Sequence, residues 1–231
     1  MASTINVSIV SDVVCPFCFL GKRRFEKAVA AFQAKGNNVI FNVKYLPFEL
    51  GRELGLTKEG VPTIDTLIPK MGKAGVAAMM PRMIQTGKQD GILFNFGGLR
   101  SRQVCAVPKH HGYTLDAHRL LHLALQSEIQ NQVAEGLFSA YHEGALNIGD
   151  DNVLADVYEK AGGDRNAALA YLKSDQDVSL IRSMQKQALL DGVTSVPHFN
   201  IEGLHVSGAQ ESQAFERIFE KVLQKGRAEP A

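Results

Sequence analysis

Two thiols stand three positions apart in Cys15-Pro16-Phe17-Cys18, a spacing that lets one sulfur attack a disulfide and the other resolve the mixed disulfide that forms. The same pair could instead be half of a zinc site or two inert core cysteines. A structural zinc needs four ligands, and the chain has neither a second CxxC nor a His-x-His cluster, so no metal is expected here. The context favours redox chemistry. Ile5, Val7 and Ile9 alternate as in a strand, whereas Cys18, Phe25, Val29 and Phe32 fall near one face of a helix. A strand therefore ends, and a helix begins, close to Cys15. Free backbone N–H groups and a partial positive charge at a helix start favour a thiolate, and Pro16 costs nothing in a first helical turn. Cys15 is expected to be the exposed, activated thiol and Cys18 its disulfide partner.

Other side chains are weaker candidates. Cys105, within the segment 100–111, could resolve a disulfide at Cys15 or bind a metal with His110 and His111, but a plain loop cysteine is the favoured reading. His118 and His122 are one helical turn apart and read as a packed pair, since no acidic ligand accompanies them. Asp12 or Glu49 could take up protons during exchange. Lys22, Arg23 and Arg24 could attract a glutathione carboxylate, although a solvated face is the default. Phe17, Phe19 and Phe48 could form an apolar rim around the dithiol. Met79, Met80 and Met83 read as core filling or as one wall of an apolar groove, and Gly97-Gly98 as a turn.

The elements that would position these groups follow from the pattern. Strands are expected over 5–9 and 39–45, with a crossover helix between them that ends at Gly36. Helices are then expected over 64–86, 115–126, 128–142, 152–161, 165–172 and 175–190, with N-cap signals at Asp151-Asn152 and Gly163-Asp164. His198–Ile201 and Leu204–Ser207 flank Glu202-Gly203 as a hairpin, and 212–225 forms a last amphipathic helix. The chain has 231 residues and a formal net charge of +1. That near neutrality gives no electrostatic reason to expect nucleic acid or an anionic membrane surface as a partner. No apolar run approaches the roughly 20 residues that span a bilayer. The first residues do not read as a secretory signal, and three cysteines do not make a disulfide scaffold, so a reducing, cytoplasmic setting is expected.

Strand, CxxC-headed helix, strand, helical block, Val-Pro, hairpin and helix is an order that resembles the DsbA-like thioredoxin oxidoreductases, and among them the FrnE-like branch without a signal peptide. The resemblance rests on 11–22, on Asp116-Ala117-His118-Arg119-Leu120, on 192–199 and on 206–210. It implies an α/β thioredoxin fold with a large all-helical insertion, the fold formed by 1–63 and 193–231 and the insertion by 64–192. It also implies a thiol–disulfide oxidoreductase that acts on protein or glutathione disulfides without a cofactor, with glutathione as a candidate redox partner. Cys15 matches the attacking thiol and Cys18 the resolving one, with Pro16, Phe17, Val196 and Pro197 contacting substrate. Pro197 matches a cis-proline whose preceding residue pairs with an extended substrate. Phe17 stands where strongly oxidising members carry histidine, which implies a milder oxidant. Two other functions remain open: a glutathione-dependent transferase or isomerase of the kappa-class or 2-hydroxychromene-2-carboxylate isomerase type, and a polypeptide-binding, chaperone-like module. Monomer and homodimer are both compatible with the sequence.

Overall fold

The computed structural model describes residues 3–50, 61–96, 110–111 and 114–228. Strand β1 (Ser3–Ser11) leads into α1 (Pro16–Ala34), which crosses over to β2 (Val39–Pro47), parallel to β1. The hairpin β5 (His198–Ile201) and β6 (Leu204–Ser207) completes a four-stranded sheet in the order β2-β1-β5-β6, with β5 antiparallel to β1. Glu202 and Gly203 both take positive φ, 47° and 82°, as a two-residue hairpin turn requires.

Apolar alternation puts Ile5, Val7 and Ile9 of β1 and Phe199 and Ile201 of β5 into one core. That face is covered by α1 and by α8 (Ser212–Ala228), whose Phe215 and Phe219 meet Phe25 edge-on at centroid distances of 5.5 and 5.7 Å. Between β2 and β5 in the chain come α2 (Thr63–Gln89), α3 (Leu115–Gln126), α4 (Gln130–His142), α5 (Asp151–Lys160), α6 (Arg165–Leu172) and α7 (Val178–Leu190). Among the described residues of this stretch, the strands are β3 (Val61–Pro62) and β4 (His110–His111), which pair with each other.

Three expectations need correction. The helix expected over 64–86 is two helices, because Gly72 (φ 70°, ψ 164°) interrupts α2. The cap of α5 is Asp150 rather than Asp151, with its carboxylate accepting from Asn152 N at 2.8 Å; Asp164 caps α6 as expected, accepting from Ala167 N at 2.8 Å. The last helix runs three residues beyond Lys225. A buried polar network lies among these helices. Arg119 donates to Asp116 and to the carbonyls of Tyr171, Leu172, Ser174 and Gln176, closing the C-terminal end of α6.

Candidate active site

Cys15 is the residue before the first turn of α1, with extended backbone (φ −83°, ψ 114°) and Pro16 next to it. Cys18 N and Phe19 N both point back to Cys15 O, at 3.1 and 3.4 Å, while Cys15 N donates to Asp12 O at 3.1 Å. The Cys15 side chain takes no capping hydrogen bond at this helix start. The Val196–Pro197 peptide is cis, and Cys15 Sγ lies 3.7 Å from Val196 O. Residues 181 positions apart thus meet at the dithiol.

Cys15 is not exposed. It is 5% accessible and Cys18 2%, both enclosed by Phe19, Leu20, Met83, Ile92, Phe94 and Phe138, with Val196 and Ala209 packed alongside. The expectation of an exposed thiol fails because the cysteines lie in a buried cluster that also draws on α2, the segment after it and α4, contacts no local pattern records. Burial pushes the Cys18 thiol well above its usual range, and the hydrogen bond and charge of Cys15 push the same way against the Ser11 hydroxyl and the Asp12 backbone. Cys18 is thereby kept protonated.

The proposed aromatic rim also changes. Phe17 is 52% exposed beside the dithiol, but Phe19 is fully buried and stacks on Phe138 at 5.1 Å. Phe48 packs with Val10, Ala188, Val193 and Val196. Pro16 is half-buried. Met83 is a wall of the dithiol enclosure.

The cations beyond the CxxC are not a solvated face. Lys22 is buried and paired with Glu26 at 2.6 Å and Glu135 at 2.8 Å, and Arg23 also pairs with Glu135. Arg24 pairs with Asp90 and Glu211. Each of the three is engaged in an ion pair. Glu49 is bound to Arg182 at 2.5 Å. Asp12 is fully buried and accepts from Leu50 N at 2.7 Å, and its other oxygen is 3.4 Å from His118 Nε2, which also lies 3.0 Å from Phe48 O. Asp12 and His118 together fasten the turn after β2 to the loop that precedes Cys15. Among the described residues no group of three or more potential ligands is arranged for a metal, and Cys105 and Gly97-Gly98 lie outside those residues.

Sequence reasoning missed His142, on α4. Its Nε2 is 2.9 Å from Val13 O and its ring stacks at 5.8 Å on Phe19, so it supports the loop into Cys15 from behind. Gly21 was also missed. A Cβ there would lie 3.0 Å from Pro197 Cγ and 3.3 Å from Phe199 Cζ, which means that the Pro197 loop rests directly on α1. A glycine within a helical pattern was the available signal.

Comparison with known proteins agrees with this geometry. A family model described as a DSBA-like thioredoxin domain matches residues 6–220. An uncharacterized protein of Bacillus subtilis, YwbO, is 28% identical over 227 residues, which cover 96% of this chain and 99% of that protein. The crystal structure of a probable DsbA oxidoreductase from Streptomyces coelicolor superposes with a TM-score of 0.79 at 27% identity, over 98% of this chain and 92% of its own. Two more distant structures share the fold alone. A 2-hydroxychromene-2-carboxylate isomerase has a TM-score of 0.67 at 15% identity, over 98% of this chain and all of its own. The cytosolic disulfide reductase DsbM of Pseudomonas aeruginosa has a TM-score of 0.61 at 13% identity, over 95% and 98%.

Proposed function

The chain belongs to the DsbA-like thioredoxin domain family, and on that premise we propose that it is a thiol–disulfide oxidoreductase whose dithiol is Cys15 and Cys18. The observation that carries this reading is the placement of Cys15 Sγ at the start of α1 and 3.7 Å from the carbonyl of Val196, before the cis Pro197. An extended substrate pairing with the backbone of Val196 would bring its disulfide to that sulfur.

The Cys15 thiolate attacks one sulfur of the substrate disulfide, forming a mixed disulfide and releasing the other sulfur as a thiolate that takes up a proton. Cys18 then loses its proton and attacks Cys15 Sγ, which forms the Cys15–Cys18 disulfide and expels the second substrate thiolate. Two electrons pass from the protein dithiol to the substrate; the reverse sequence oxidises a substrate dithiol. Pro16 and Phe17 flank the attacking sulfur, and exposed Phe17 offers an apolar contact to a polypeptide. Phe17 carries no charge to hold a thiolate, which supports a milder oxidant than members with histidine there. Protein disulfides and glutathione disulfide are the proposed substrates. On this reading 1–63 and 193–231 form the redox domain and 64–192 its helical insertion. No described helix is long and apolar enough to cross a membrane, and a reducing compartment is the proposed setting.

The likeness to the isomerase raises the glutathione-dependent alternative, but a second thiol at Cys18, in the first turn of α1, favours exchange. Point variants separate the two. Cys15→Ser abolishes disulfide exchange, and Cys18→Ser accumulates a mixed disulfide visible by mass. Full exchange activity in Cys15→Ser would overturn the proposal.

A further inference from the structure

We propose that Arg24 is a positioning residue for the dithiol, a clasp that holds two walls of the Cys15–Cys18 enclosure against α1 and thereby limits which disulfides reach Cys15. This rests on the reading of Cys15 and Cys18 as a reactive pair. Arg24 is only 12% exposed and its partner Asp90 9%. Its Nε donates to Asp90 Oδ2 at 2.8 Å, and its Nη1 donates to Ala209 O at 3.0 Å and to Glu211 at 2.6 Å.

The two part-buried acceptors belong to different walls. Asp90 sits in the turn that ends α2, where Asp90 N and Ile92 N both donate to Gly87 O, at 2.9 and 2.8 Å, and Gly91 takes φ 72°. That turn brings Ile92 and Phe94 into the buried cluster that holds the cysteines, where Phe94 meets Phe19 edge-on at 6.4 Å. The ring of Phe94 folds back so closely that a Cβ on Gly87 would come within 2.4 Å of it. Ala209 packs against the same cluster. Its neighbour Gly208 donates to Pro197 O at 2.8 Å, so Ala209 is coupled to the loop that faces Cys15 Sγ.

One guanidinium serves both directions because its donors are fixed in a planar fork, a task a lysine ammonium performs less well. With both walls held, Cys15 is 5% accessible, and a bulky disulfide must move a wall to reach it. The 90–96 wall is the one that Arg24 holds through a side-chain ion pair alone.

The test is the rate at which iodoacetamide alkylates Cys15 in the reduced protein, followed by peptide mass spectrometry alongside thermal melting. Arg24→Ala and Asp90→Ala are expected to alkylate about tenfold faster than the parent, Arg24→Lys at an intermediate rate, and Glu211→Gln at the parent rate, because a wall opens more often once its part-buried, charge-assisted hydrogen bond is removed. Arg165→Ala, which breaks the exposed pair with Asp156, controls for a general loss of stability. Parent-like rates in Arg24→Ala and Asp90→Ala, or an equal acceleration in Glu211→Gln or Arg165→Ala, would refute the clasp. If Arg24→Ala does not fold, Asp90→Ala decides alone, since it leaves Arg24 bound to Ala209. Alkylation needs no turnover, so a failure of the oxidoreductase reading, seen as exchange surviving in Cys15→Ser, is recorded separately.

Discussion

Gly21→Ala is the smallest change that should separate substrate docking from thiol reactivity. Inside a helix, alanine is favoured over glycine by about 1 kcal/mol, so on propensity alone the variant gains stability. Opposing that gain, the new Cβ would meet Pro197 Cγ at 3.0 Å and Phe199 Cζ and Cε2 at 3.3 and 3.5 Å. Carbon atoms settle at roughly 3.5 to 4.0 Å. Pro197 must therefore retreat by about 0.5 Å and Phe199 by a few tenths. Neither gives way easily: the proline ring is part of the backbone, and Phe199 is fixed opposite Ile9 in the sheet and wedged between Phe25 and Phe215 at 5.8 and 4.8 Å. Overpacking of this kind costs about 1 to 3 kcal/mol, which leaves the variant between neutral and about 2 kcal/mol less stable.

The functional consequence is larger than the stability change. Retreat of Pro197 carries Val196 with it, and the separation of 3.7 Å between Cys15 Sγ and Val196 O opens beyond contact. Since a misplacement of 1 Å can cost on the order of a hundredfold, half that distance should lower kcat/KM for an extended peptide disulfide roughly tenfold. Reaction of Cys15 with a small aromatic disulfide, which needs no pairing with Val196, should change less than about twofold. Stopped-flow measurement of both substrates on one preparation tests this. Unaltered peptide exchange, or an equal loss with both substrates, would refute the placement of Pro197 as the docking element.

Two predictions concern protons. Burial holds the Cys18 thiol well above its usual range, so resolution of a preformed mixed disulfide at Cys15 should accelerate about tenfold per pH unit between about pH 7 and pH 9 without levelling, as pH-jump quenching would show. His198 has its pKa lowered by burial and then by His205, whose Nδ1 lies 2.9 Å from His198 Nε2. The unfolded chain therefore binds a proton that the folded one refuses over the interval from about pH 6.5 down to the depressed folded value, so stability falls as pH drops through that window. Melting temperatures between about pH 7.5 and pH 5.5 should show a smaller decline in His205→Asn than in the parent, but not its disappearance, because burial remains.

What the sequence disclosed and what it hid divide along the distance between interacting residues. The end of β1, the start of α1 at Pro16 and the Glu202-Gly203 turn are set by neighbours within a few positions, and all three are where periodicity and turn chemistry place them. Lys22 reads as solvated because its local pattern, with Glu26 one turn on, is that of an exposed helix face; its second partner, Glu135 on α4, is 113 positions away. Cys15 reads as exposed for the same reason, and it lies in a buried cluster with Ile92, Phe94 and Met83. Gly72 is an intermediate case. A glycine between Pro69 and Pro81 is legible as a weakness in the helix, but only the structure shows the chain breaking there.

That division bears on how the site would work. The chemistry of the pair is written in four consecutive residues, yet whether a disulfide reaches it depends on contacts supplied from α2 and from the loops at 193–197 and 208–211. The Val196 carbonyl faces Cys15 Sγ at 3.7 Å, and on the oxidoreductase reading an extended substrate pairs with the backbone of the same residue. Docking and attack then depend on a single peptide group. A displacement of the Pro197 loop cannot weaken binding alone, because it also changes the path from the sulfur to the bound disulfide. Gly21 and Arg24 act on that geometry from one helix, the first by letting Pro197 approach α1 and the second by tying Ala209, and through Gly208 the Pro197 carbonyl, to the same helix. Substitutions at either position should therefore appear in the rate of attack before they appear in the stability of the fold.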